Sequence, residues 1–144
     1  MNPVTLHAGC VAIGGRGVLI SGASGSGKSD LALRLIDRGA VLVSDDYVLL
    51  AASDGQLFAA PPTTIAGRME MRGIGIVERP FLPKITVALL VDLDGAPVRL
   101  PEPERRELAG ISIPVIALNG LEPSAPIKVE AALLLHGLSA PCPQ

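Results

Sequence analysis

A strand-rich α/β domain with few helices is predicted by three features of this 144-residue sequence. The stretch GASGSGKSD at residues 22–30 fits G-x-x-x-x-G-K-[ST], between an apolar run and a helical pattern. Short runs of Val, Ile and Leu recur between clusters of Gly, Pro and Asp, which reads as strands parted by turns. Helical periodicity is confined to the segment after Lys28 and to Lys128–Leu138.

In chain order, Val4, Leu6, Val11 and Ile13 precede Gly14-Gly15 and then Val18, Leu19 and Ile20, predicting a hairpin that delivers a strand into the glycine-rich loop. Leu31, Ala32, Leu35 and Ile36 share one helical face opposite Asp30, Arg34 and Asp37, and Gly39 is placed to stop that helix. Val41–Val43 is the next strand, running into Ser44-Asp45-Asp46. Val48–Ala52 continues extended, Ser53-Asp54-Gly55 turns, and a further short strand follows. Pro61-Pro62 opens an irregular stretch containing IAGRMEMRGIGIVERP, residues 65–80. Ile85–Val91 is a buried strand stopped by Asp92-Leu93-Asp94-Gly95. Arg99–Gly110 is expected as loop or short helix, and Ile111–Leu118 as the last strand.

Composition narrows the function classes. The length suits one domain spanning residues 1–144. Hydrophobic residues make up 49%, but aromatics only 2% (Tyr47, Phe58, Phe81), too few for base-stacking platforms. A net charge of −2 offers no basic footprint for nucleic acid. Cys10 and Cys142 form no metal-like spacing and are expected as reduced thiols. The start MNPVTLHAGC carries no signal-peptide pattern, and no apolar run reaches the roughly 20 residues of a membrane span, so a soluble cytoplasmic protein without a membrane partner is expected.

The loop Gly22, Ala23, Ser24, Gly25, Ser26, Gly27, Lys28, Ser29 has the chemistry of a phosphate cradle. Backbone N–H groups and a helix N-terminus face the anion, Lys28 adds a cation, and the Ser29 hydroxyl can ligate Mg²⁺. A chance glycine-rich turn is the competing reading, and the flanking strand and helix weigh against it. Asp45 and Asp46 end the strand that follows, where α/β sheets gather ligands. One carboxylate suits a metal shell and the other can accept a proton, against the blander reading of a solvated turn. Glu70 and Arg72, two apart within EMRGIGI, face one way if extended; Glu70 could complete a metal shell and Arg72 neutralise a phosphoryl group. By spacing alone that segment is equally a charged hairpin, and a lone histidine such as His7, near a strand end, is more often structural than catalytic.

Taken together, LHAG, GASGSGKSDLALRLIDRGAVLVSDD and GRMEMRGIGIV resemble the catalytic domain of the HPr kinase/phosphorylase family over roughly residues 5–95. The resemblance implies a fold like phosphoenolpyruvate carboxykinase and Mg²⁺-dependent transfer from ATP or pyrophosphate to a serine of the carrier HPr. It implies catalytic roles for His7, Lys28, Asp46 and Arg72. It places Mg²⁺ on Ser29 and Glu70, with Asp45 supporting, and implies a homo-oligomer, a hexamer in the family. Two departures stand out: Val115 follows Pro114 where many members carry arginine, and the family's separate N-terminal domain has no counterpart here, as in the short alphaproteobacterial form. A small-molecule P-loop kinase, or a nucleotide sensor without transfer activity, remains the alternative.

Overall fold

A computed structural model describes residues 3–140. Strand β1 (Val4–Leu6) bends at His7 into β2 (Ala8–Ile13), and β3 (Arg16–Ser21) returns along it. The β2–β3 turn is the expected one: Gly14 and Gly15 both take positive φ, 57° and 81°, and Ile13 faces Arg16 across a two-residue loop. This is the geometry that matches strand twist and that glycine adopts without strain. After the phosphate-loop segment, α1 (Lys28–Asp37) runs to the predicted stop, where Gly39, at φ 112°, donates to the Ile36 carbonyl. Strands β4 (Val41–Ser44), β5 (Val48–Ser53) and β6 (Gln56–Ala60) follow; Asp54-Gly55, both at positive φ, close the β5–β6 hairpin.

Within the irregular stretch the chain forms the charged hairpin that its spacing also allowed, a separate two-stranded sheet of β7 (Arg68–Met71) and β8 (Gly75–Glu78). Arg72 lies in its turn, so it does not continue the extended run of Glu70. Beyond it come β9 (Ile85–Asp92), β10 (Glu104–Leu108), β11 (Ile111–Ala117) and α2 (Ala125–His136). Two expectations are corrected here. The segment placed in loop or short helix contains β10, paired antiparallel to β11 from Glu104↔Val115 to Leu108↔Ile111. Its ERREL sequence hides the strand because all but its last residue are exposed, leaving no apolar alternation to detect. A charged edge of this kind also discourages pairing with other chains. Helix α2 starts three residues before Lys128, with Pro126 in its first turn, where a missing N–H costs nothing.

The main sheet runs β1-β5-β6-β9-β3-β2-β4, with β9 at its centre. One edge of β9 is parallel to β3; the other is antiparallel to β6 at Ile85–Thr86 and parallel to β11 at Leu90–Asp92. Both faces of β3 and β9 are covered, which is why they read as unbroken apolar runs. On one face Val18, Ile20, Leu89 and Val91 meet Leu31 and Leu35 of α1 and Val129 and Leu133 of α2. The opposite face packs Cys10, Leu19, Val43, Leu50, Leu57, Leu90 and Ile113, all from strands. Burial pushes the Cys10 thiol far up, leaving it an unreactive core group; Cys142 lies outside the described residues. The strands β3, β4, β9 and β11 point the same way, so their C-terminal ends share one edge.

Candidate active site

At that edge β3 ends at Ser21, the chain wraps through residues 22–27, and α1 begins at Lys28. Gly27 caps the helix at φ 98°, a conformation that favours glycine, and the tip of Leu121 closes over it, with Cδ2 2.8 Å from where a Cβ would lie. The Leu31 N–H donates to Gly27 O at 2.8 Å, opening the helical ladder and leaving the N–H groups of Lys28, Ser29 and Asp30 without an intrahelical partner, an arrangement that suits an anion. Lys28 is 8% exposed. Its ammonium donates to the carbonyls of Gly22 (2.7 Å) and Ala23 (3.3 Å), which satisfy it inside the loop.

The two adjacent aspartates are parted by backbone geometry. Asp46 takes φ 72°, a left-handed conformation, and Tyr47 N–H turns back onto Asp45 O at 2.9 Å. Asp45 is thereby buried: Oδ1 accepts the Ser29 hydroxyl at 2.8 Å and Oδ2 accepts the Glu70 N–H at 3.2 Å. It ties the phosphate loop to β7. Asp46 is exposed instead, with Oδ1 2.8 Å from His7 Nε2, and the His7 ring stacks on Tyr47 with centroids 4.8 Å apart. An ionised carboxylate only accepts, so Nε2–H is the donor. The strand that ends at this pair, β4, is parallel to β3 but not beside it; β2 lies between them in the sheet.

A cleft of about 870 Å³ opens over these groups. Ser24, Gly25, Gly27, Lys28 and Ser29 form one wall, Glu70, Arg72, Ile74 and Ile76 of the β7–β8 hairpin another, and Asp46 and Leu121 complete it. Gly22, Ala23, Ser26, Asp45 and His7 do not line it. Among the described residues no three His, Cys, Asp or Glu side chains converge on one point. The donor set of Ser29 hydroxyl and the Asp45 and Glu70 carboxylates is all oxygen and fits Mg²⁺, which takes one or two carboxylates and completes its shell with phosphate and water.

Sequence reasoning missed a second approach to the loop. The parallel neighbour of β3 is β9, and the turn that ends it returns to the loop: Asp94 Oδ1 accepts the Ala23 N–H at 3.0 Å. Asp92 Oδ1 accepts the N–H groups of Asp94 and Gly95 at 2.9 and 3.2 Å, and its Oδ2 pairs with Arg106 at 3.1 Å. Burial alone would raise the Asp92 carboxyl; the Asp94 and Gly95 N–H groups and the Arg106 guanidinium outweigh it and hold the group below the usual carboxylate range. The signal was present, an apolar strand ending in Asp beside the loop strand, but it reads equally as a strand stop. Arg34 was missed as well: it donates to the carbonyls of Gly120 and Glu122, fixing the loop that brings Leu121 against Gly27.

Residues 1–81 match the family described as HPr Serine kinase C-terminal domain. The chain belongs to that family. All of His7, the phosphate loop, Asp45, Asp46, Glu70 and Arg72 fall inside the matched stretch. An HPr kinase/phosphorylase of Clostridium botulinum (strain Eklund 17B / Type B) is 48% identical over 73 residues, 51% of this chain and 24% of its own length. One from Clostridium tetani (strain Massachusetts / E88) is 39% identical over 97 residues, 67% of this chain and 32% of its own length. The chain thus spans about a quarter to a third of these relatives. A solved structure, the Hpr(Ser) kinase/phosphatase from Coxiella burnetii, superposes with a TM-score of 0.80 at 29% identity, covering 91% of this chain and 94% of that one. The likeness in fold therefore extends well beyond residue 81, where the family match ends.

Proposed function

We propose that this chain is a single catalytic domain that transfers a phosphoryl group from ATP or pyrophosphate to a serine of an HPr-type carrier. The observation that carries the reading is the placement of Asp46, held by His7, on the cleft that Lys28 and Ser29 line. Lys28 would exchange the Gly22 and Ala23 carbonyls for phosphate oxygens, and Ser29, Glu70 and Asp45 would hold Mg²⁺. When bound, the ion neutralises phosphate charge and orients the donor. The donor P–O bond breaks as the serine Oγ–P bond forms, and the serine proton passes to Asp46. His7 engages one Asp46 oxygen and leaves the other for the hydroxyl. Arg72, on the opposing hairpin, offsets charge on the transferring group.

We also propose that the forward reaction dominates. Position 115 is valine within β11, Arg106 is paired with Asp92, and Arg105 donates to the Ser112 carbonyl at 3.4 Å; none of the three lines the cleft. Lys28 and Arg72 are the cations on the cleft, and a second anion beside phosphoserine would find no further one among the lining residues to offset repulsion. The same proposal includes a cytoplasmic location and a homo-oligomer, a hexamer by resemblance; among the described residues no helix is long and apolar enough to cross a membrane. Incubation with labelled ATP, Mg²⁺ and HPr tests the reading. Label on HPr serine supports it. Nucleotide binding without transfer supports the sensor alternative, which Val115 favours, and label on a small molecule alone supports the other kinase class.

A further inference from the structure

The Gly22–Ala23 peptide is gripped from both ends. Its carbonyl accepts the Lys28 ammonium at 2.7 Å, while its N–H donates to Asp94 Oδ1 at 3.0 Å. A cation on the oxygen and an anion on the hydrogen polarise the amide in the same sense, so each bond strengthens the other. The turn bearing Asp94 is itself fixed. Leu93 N–H donates to Ser21 O at 2.9 Å, and Asp92 holds the Asp94 and Gly95 N–H groups while Arg106 holds Asp92. Leu93 also closes on the loop, since a Cβ on Gly22 would lie 3.1 Å from Leu93 Cβ.

We propose that Asp94 is a positioning residue that sets the first peptide of the phosphate loop, and through it Lys28, before the donor arrives. This rests on the reading of residues 22–29 as a phosphate site. A loop already shaped loses less freedom on binding, so the brace acts as preorganisation. Asp94 acts through a hydrogen bond that asparagine can also accept, which separates its geometry from its charge. A carboxylate that merely competed with phosphate for the Ala23 N–H would act in the opposite direction.

The test is pyrophosphate binding by calorimetry, with Mg²⁺, to the full chain and to Asp94→Ala, Asp94→Asn and Lys28→Ala. Amide exchange at Ala23 and thermal melting are measured on each. Asp94→Ala is expected to bind about ten-fold more weakly, the scale of one charge-assisted hydrogen bond, with a faster-exchanging Ala23 amide and a retained melting transition. Asp94→Asn is expected within about three-fold of the parent, restoring Ala23 protection. Affinity in Asp94→Ala equal to or tighter than the parent overturns the proposal, as does a failure of Asn to restore it. Lys28→Ala reports separately on the phosphate site: if it binds like the parent, the reading of the loop fails rather than the role of Asp94.

Discussion

Replacing Asp46 by Asn separates catalysis from folding. The side chain sits at φ 72°, a region in which Asn is at least as comfortable as Asp, so the backbone is not strained. Its partner is His7 at 2.8 Å, and the two side chains are 59% and 41% exposed. An exposed pair of this kind contributes about 0–1 kcal/mol, and the Asn oxygen still accepts from Nε2–H. Stability should therefore change by less than about 1 kcal/mol. Transfer loses its proton acceptor, a loss of about 10²–10⁴ in rate, or roughly 2.7–5.4 kcal/mol at 1.36 kcal/mol per decade. The assay is single-turnover label transfer to HPr beside a thermal melt of the same sample. Near-parental turnover in a folded Asp46→Asn would refute the assignment. Asp45→Asn should behave in the reverse order. Its Oδ1 can keep the Glu70 N–H only by turning the amide N–H toward Ser29, whose hydroxyl then loses its carboxylate acceptor and must accept instead. That mismatch costs about 1–3 kcal/mol of stability.

Lys28→Ala should abolish transfer and weaken ATP or pyrophosphate binding by at least ten-fold, because the phosphates lose a charge-assisted partner; unchanged affinity by calorimetry would contradict it. The β7–β8 hairpin presents Ile74 and Ile76 at 77% and 69% exposure, and its residues should gain amide-exchange protection on adding nucleotide and Mg²⁺. Equal protection with and without ligand would mean that it does not close. Asp92 is held below its ordinary value near 3.9, so the unfolded state binds more protons in that range and stability rises with pH there. Its contribution is full above about pH 4 and is lost as pH falls through the lower folded value. Arg106→Ala should flatten that acid limb in melts taken below about pH 4, and an unaltered limb would remove Arg106 from the account.

The parts legible in the sequence are those set by near neighbours in the chain. Gly14-Gly15, the strand–GASGSGKS–helix unit and Gly39 each satisfy a backbone requirement within a few residues, and each lies where expected. What escaped depends on pairing between distant segments. Nothing local in Val41–Ser44 reveals that β2 separates β4 from β3, or that β9 pairs with three strands. β10 escaped because its side chains are exposed on both faces. The division of labour between Asp45 and Asp46 follows from one left-handed residue, which a DD pair permits but does not announce. Asp94 looked like the end of a strand because its partner, Ala23, is 71 positions away.

Transfer of label from γ-labelled ATP to HPr, with Mg²⁺ and the residue mapped afterwards, tests the central claim most directly. The account predicts label on a serine of HPr, lost in both Lys28→Ala and Asp46→Asn. Tight nucleotide binding by the parent chain with no label on HPr would contradict it.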